Sequence, residues 1–307
     1  MKGTIIKSTG SSCVILLDDG KQINATLKGV FRIKGIDSTN PLAVGDKVKA
    51  SISDDGSAQI VEIAERKNHI IRKATNLSKR SHIIASNIDC AFLMMTLCKP
   101  KTHLLFVDRF LVTAEAYHIP VKILINKIDL YDDALIKEMN DVIQTYNSAG
   151  YKCYPISSLD KNSIEELSQH FNNSINLVAG NSGVGKSTLI NSLDPKLDIK
   201  TNDVSAHHET GKHTTTFAEM HPLKNGGFII DTPGLKSFAT YDMEKEDLSH
   251  RFPEMRDRME NCQFGNCQHI NEPKCAILEA VENGSIAKSR YNNYLNIYNS
   301  DKTEGFR

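Results

Sequence analysis

Apolar and polar positions keep two rhythms along this chain, and the change between them marks its parts. Near the N-terminus the apolar runs are short and β-rich. "TGSSCVILLDDGKQINATL" holds two of them, split by Asp19-Gly20, a pair suited to a tight hairpin. "VGDKVKASISDDGSAQIVEI" repeats the pattern around Asp55-Gly56. Short strands spaced this closely predict a small β-barrel, with an OB-fold as one candidate.

From about residue 87 the rhythm becomes strand, helix, strand. The pattern predicts strands over 88–97, 121–125, 152–156, 174–178 and 228–230. It predicts helices over 104–117, 134–148 and 163–171, and another over 186–193. Near-continuous apolar strands alternating with helices predict a parallel sheet covered on both faces. Residues 66–86 carry no such pattern and read as a linker. They hold Arg66, Lys67, Arg72, Lys73, Lys79 and Arg80 and no acidic residue. Such a connector is usually solvated, yet it is the best local candidate for a phosphate-backbone contact. Residues 194–216 break the rhythm and are rich in Asp, His and Thr, as functional loops often are. Residues 243–259 are charged and read as helical. Further on, Ile286, Tyr291, Tyr294, Leu295 and Tyr298 recur at roughly helical spacing. Their tyrosines are expected to pack on the neighbouring cysteine-rich module or on the sheet.

Composition adds limits. The 307 residues suffice for two or three domains, and the net formal charge is zero, so a nucleic-acid partner would have to meet a local patch. The start, "MKGTIIKSTG", lacks the apolar core of an export signal, and no apolar run is long enough to cross a membrane. A cytoplasmic protein without membrane contact is expected.

Two motifs carry nucleotide chemistry. Gly180-Asn181-Ser182-Gly183-Val184-Gly185-Lys186-Ser187-Thr188 fits the P-loop pattern, placed between a buried strand and an amphipathic helix as that motif requires. Its glycines let backbone N–H groups face phosphate, and the helix N-terminus adds partial positive charge. Lys186 suits the β- and γ-phosphates, and the Ser187 hydroxyl suits Mg²⁺. Asp231-Thr232-Pro233-Gly234 closes a later strand. Asp231 there suits a Mg²⁺-linked carboxylate, and the Gly234 N–H could sense the γ-phosphate. Asn126-Lys127-Ile128-Asp129 follows the strand "VKILI". The Asp129 carboxylate can accept from N1 and N2 of guanine, a pair of donors that adenine lacks, so ATP is rejected. Asn126 and Lys127 would brace the loop, and Ser157-Ser158 would back the base contact with their N–H groups. In most such chains the phosphate loop precedes the base reader; here the base reader comes first. "GKHTTT" at 211–216 offers a hydroxyl for the Mg²⁺ shell, Thr215 first and Thr214 next. Leu235 stands where many GTPases place a water-orienting glutamine. His213 is the candidate to position water, with His207 and His208 behind it; the alternative is that His213 only packs or caps the loop.

Seven cysteines are present, four of them scattered as buried free thiols often are. Cys262, Cys267, His269 and Cys275 cluster. Three thiolates and one imidazole make a closed tetrahedral set for one structural Zn²⁺.

Taken together, the order "NKID", "GNSGVGKST", "GKHTTT", "DTPG" and C-x4-C-x-H-x5-C resembles the RsgA (YjeQ) family of circularly permuted GTPases dependent on the small ribosomal subunit. The resemblance spans essentially the whole chain. It implies a multidomain fold: an N-terminal OB-fold β-barrel over 1–68, a circularly permuted α/β GTPase domain over 69–240, and a mostly α zinc-binding domain over 241–307. It implies GTP hydrolysis stimulated by the small ribosomal subunit during its late maturation; GTP or GDP with Mg²⁺ is the expected ligand, and a monomer is expected. Lys28, Arg32 and Lys34 would be possible RNA contacts on a basic barrel loop. Lys212 departs mildly from the family, which often has arginine there. Two other readings stay open: an RNA-binding scaffold with structural nucleotide, and a P-loop kinase or ATPase, against which "NKID" argues.

Overall fold

The computed structural model describes residues 1–9, 12–27, 42–52, 57–73, 81–197, 218–231 and 244–300. At 72, 73, 81, 82 and 231 it describes the backbone alone. Within these residues the N-terminal strands are β1 (Lys2–Ser8), β2 (Ser12–Leu17), β3 (Gln22–Leu27), β4 (Lys47–Ile52) and β5 (Ala58–Ile63). They close a barrel in the order β1-β2-β3-β5-β4, with β4 returning to β1. Strict alternation sends Cys13, Ile15 and Leu17 inward from β2, where they meet Ile5, Val48 and Ile60. The predicted hairpin at Asp19-Gly20 is present. Gly20 takes φ 85° and its N–H reaches the Leu17 carbonyl at 2.9 Å. The Asp55-Gly56 turn and the barrel residues Lys28, Arg32 and Lys34 lie outside the described residues.

The second part is the parallel sheet that the alternation predicts. Its strands are β8 (Cys90–Met95), β9 (Val121–Ile125), β10 (Lys152–Pro155), β11 (Ile175–Gly180), β12 (Glu219–Pro222) and β13 (Phe228–Asp231). The order is β10-β9-β8-β11-β13-β12, parallel except for β12, which pairs antiparallel with β13. β12 is too short for its pattern to be read, and Pro222 ends it at the edge. The helices α1 (Leu104–Ala116) and α2 (Asp133–Ser148) cover one face. The helices α3 (Lys161–Ser168) and α4 (Lys186–Leu193) cover the other. Along β8, Ala91, Leu93 and Met95 face the first pair of helices while Phe92 and Met94 face the second. β1 touches β12 through the register Lys7↔Glu219, so barrel and sheet share an edge, and the two side chains form an ion pair at 3.2 Å.

Two sequence expectations need correction. The described residues of 66–86 are no solvated connector. β6 (His69–Lys73) and β7 (Ser81–Ser86) form an antiparallel pair. Arg66 lies bidentate on the fully buried carboxylate of Asp46, with both N–O distances 2.6 Å. Lys67 pairs with Asp89. Arg66 and Lys67 are thus engaged in joining this segment to the barrel and the sheet, while the side chains of Arg72, Lys73, Lys79 and Arg80 lie outside what the structure describes. Nor is 243–259 one helix. Its described part is a chain of short 3₁₀ turns around α5 (Pro253–Arg256). Pro253 disfavours helical backbone at Phe252, which takes φ −108° and ψ 102°.

The C-terminal part adds α6 (Ala276–Glu282) and α7 (Lys288–Asn299). Its core of Leu248, Phe252, Met255, Ile277, Ile286 and Tyr294 also takes in Val112 of α1. As expected, the α7 tyrosines pack on the cysteine module.

Candidate functional site

The base-reading segment begins where β9 ends. The Asn126 N–H donates to the Met95 carbonyl at the end of β8, at 2.9 Å. Lys127 takes a left-handed conformation (φ 66°), and a 3₁₀ turn over Ile128–Leu130 then carries Asp129. Ser157, just past β10, donates its hydroxyl to Asp129 Oδ1 at 2.6 Å. Ser158 donates both its N–H (3.0 Å) and its hydroxyl (2.9 Å) to Asn126 Oδ1. The Ser158 N–H therefore braces Asn126 and does not point at a base.

The phosphate loop leaves β11 and enters α4. Gly180, Gly183 and Gly185 all have positive φ, at 147°, 79° and 103°, as a loop that turns its N–H groups inward requires. Lys186 opens α4, and its amine folds back over the loop to the carbonyls of Gly180 (2.8 Å) and Asn181 (2.7 Å). Ser187 and Thr188 follow in the first turn.

The two segments touch. Asn126 Nδ2 donates to the Val184 carbonyl at 2.8 Å, and Lys127 Nζ donates to the Gly183 carbonyl at 2.8 Å. A Cβ at Gly185 would fall on the Asn126 amide. Asn126 is almost wholly buried, so its amide is a fixed strut between the loops. Asp231 ends β13 beside β11. His207, His208, Lys212, His213, Thr214, Thr215, Gly234 and Leu235 lie outside the described residues.

Cys262, Cys267, His269 and Cys275 bring one ligand atom each into a cluster within 4.8 Å. His269 Nδ1 is 3.6 Å from the Cys262 sulfur and 3.4 Å from that of Cys275. Those two sulfurs are 4.0 Å apart. A tetrahedral Zn²⁺ with metal–sulfur bonds of about 2.3 Å holds its sulfurs about 3.8 Å apart, so the donor set fits that ion in type and size. Burial pushes the Cys267 thiol up to about 12, so thiolates there need a cation among them. The loop between the ligands is shaped by Glu272, whose carboxylate accepts from the N–H groups of Gln268, Ile270 and Asn271. Tyr291 and Tyr294 of α7 donate to the carbonyls of His269 (2.8 Å) and Gln268 (2.7 Å).

The model of the RsgA GTPase family matches residues 63–241, and that of the RsgA N-terminal domain matches residues 2–60. The chain belongs to the RsgA GTPase family. The small ribosomal subunit biogenesis GTPase RsgA of Bacteroides fragilis is 49% identical over 305 residues, 99% of this chain and 98% of that protein. Its namesake from Christiangramia forsetii is 47% identical, covering 98% and 97%. Among solved structures, YjeQ from Thermotoga maritima superposes with a TM-score of 0.80 at 32% identity, over 97% of this chain and 96% of that one. YloQ, described as a circularly permuted GTPase, gives 0.75 at 31% identity, over 97% and 93%.

Membership in the RsgA GTPase family makes the chain a hydrolase of GTP. Several residues that shape its sites escaped the sequence reading. Glu272 sits in no motif, although its partners lie within four residues of it; Asp108 and Arg290 are brought together by the fold alone. Tyr131 could have been noticed as an aromatic two residues past "NKID". Among the described residues no helix is long and apolar enough to cross a membrane.

Proposed function

We propose that this chain is a monomeric cytoplasmic GTPase that binds the small ribosomal subunit and its rRNA and assists late maturation. GTP hydrolysis switches its affinity for that particle. The observation that carries the reading is the Asn126 strut to Val184. It supports reading the two segments, which begin 54 positions apart in the chain, as parts of one nucleotide pocket.

Asp129, oriented by Ser157, accepts from N1 and N2 of guanine and would be left unpaired by adenine. Gly180, Asn181, Ser182, Gly183, Val184 and Gly185 wrap the phosphates with backbone N–H groups, and Lys186 moves from its carbonyl partners onto the β- and γ-oxygens. Ser187, Thr215 and Asp231 are the residues that would hold Mg²⁺, which neutralises charge building on the phosphates. His213 orients the attacking water, since Leu235 cannot hydrogen-bond. Thr214 and Thr215 tie the 211–216 loop to the triphosphate and release it after hydrolysis.

The division into 1–68, 69–240 and 241–307 then has a use. Gly234 lies just ahead of the C-terminal part, so a γ-phosphate-driven change there has a short covalent path to it. Zn²⁺ on Cys262, Cys267, His269 and Cys275 keeps that part rigid enough to respond. The family, and the names of relatives described as small ribosomal subunit biogenesis GTPases, support the ribosomal partner. The test is GTP turnover with added small subunits, large subunits or buffer. Stimulation by small subunits alone is expected; equal rates in all three would refute the reading.

A further inference from the structure

We propose that Tyr131 is a positioning residue for guanine: its phenol ties the first residue of the base-reading loop to the exit of the neighbouring strand and sets the preference for guanine over adenine nucleotides. This rests on reading Asn126–Asp129 as the guanine-binding segment.

The phenol makes two bonds that span the strand ends under the loop. Its O–H donates to the Asn126 carbonyl at 2.9 Å, and its oxygen accepts the Leu97 N–H at 2.9 Å. Leu97 follows β8 and Asn126 follows β9, so one side chain ties the exits of two neighbouring parallel strands. The Tyr131 N–H also closes the 3₁₀ turn by donating to the Ile128 carbonyl at 3.1 Å. The ring thus reaches back across the turn that carries Asp129 and grips Asn126, the first residue of the base-reading segment.

The grip is firm on the far side as well. Thr102 closes the 96–102 segment, accepting the Thr96 N–H on its hydroxyl at 3.1 Å and donating its own N–H to the Thr96 carbonyl at 2.8 Å. Lys127 Nζ adds a bond to the Lys99 carbonyl. The Tyr131 ring is half-buried against the core under α1 and α2. Burial raises the phenol to about 12, so it remains a neutral donor at physiological pH.

Asn126 therefore has every group directed: N–H to Met95, amide to Val184 and Ser158, carbonyl to Tyr131. Val184 belongs to the phosphate loop, Met95 ends β8 and Ser158 follows β10; Tyr131 supplies the bond that holds the carbonyl. Without the hydroxyl, the Leu97 N–H and Asn126 carbonyl lose their partner, and the turn can tilt. A small tilt of Asp129 weakens a two-bond contact with guanine sharply, while the Asn126 and Lys127 side chains keep their bonds to the phosphate loop.

The experiment is Tyr131→Phe, which keeps the ring and removes the oxygen. Affinities for GDP and for ADP are read by competition, and KM and kcat are measured for GTP. GDP binding should weaken about tenfold, with ADP binding and kcat at saturating GTP unchanged. Unchanged GDP affinity, or equal losses for GDP and ADP, would overturn the proposal. Asp129→Asn tests the underlying reading separately: if it leaves GDP binding intact, the guanine site lies elsewhere, whatever Tyr131 does.

Discussion

Arg290 Nη1 lies 2.6 Å from Asp108 Oδ1, with both side chains almost fully buried. The pair ties α7, which carries the tyrosines over the cysteine cluster, to α1, which packs on the nucleotide-binding sheet. Arg290 also pairs with Glu254 at 2.8 Å, and its guanidinium lies over the ring of Phe252. Asp108 accepts further bonds from Tyr146 (2.9 Å) and Asn293 (2.6 Å). The charges are thus satisfied, and their value is as a fixed joint between two parts of the chain.

Breaking that joint on one side should be costly. Arg290→Met leaves two carboxylates buried without their cation, which costs about 3–5 kcal/mol. Denaturant unfolding should report a loss of that size. A loss below about 1 kcal/mol, the range of an exposed pair, would mean that the joint is open in solution.

Zinc should be found at one ion per chain by elemental analysis, and a chelator should lower the melting temperature. Tyr291→Phe frees the carbonyl of the ligand His269. Zinc retention against chelator should fall about tenfold, with GDP binding unchanged. Protein free of zinc after purification without chelators would remove the metal assignment.

Stability should decline on the acid side. Burial and the nearby Arg66 push His69 below its ordinary value, against a weaker opposite pull from Asp46. An unfolded histidine binds its proton more readily, so His69 contributes stability above about pH 6.5 that is lost as pH falls through its lower folded value. Burial, Lys122 and Lys152 act in the same sense on His170. Melting temperature should drop between about pH 7.5 and about pH 5.5, and His69→Gln should flatten the curve. An identical curve for the variant would exclude His69 as a contributor.

His213→Ala should slow single-turnover GTP hydrolysis about a hundredfold while leaving GTP affinity intact, the signature of a group that positions water. An unchanged rate would assign His213 to loop packing alone.

What the sequence made legible was local. The glycines of the phosphate loop, the apolar strand before it and the amphipathic helix after it all lie within twenty residues, and the structure forms that strand–loop–helix. The pairing of β6 with β7 was hidden because Arg66 reads as a solvated charge until Asp46, twenty residues earlier, is folded against it. The run from 243 to 259 looked helical because its charge pattern outweighed one proline. α6 escaped because "AILEAVE" is too short to display a period. The Asp108–Arg290 joint spans 182 positions, and no pattern in either helix announces it.

The central claim is that Asn126 joins the base reader and the phosphate loop into one guanine-specific pocket. Equilibrium binding of GDP and ADP to the wild-type chain and to Asn126→Ala tests it most directly. The account predicts at least about a hundredfold preference for GDP, and a severe loss of GDP binding in the variant. Equal affinity for the two nucleotides, or a variant that binds GDP like the wild type, would contradict it.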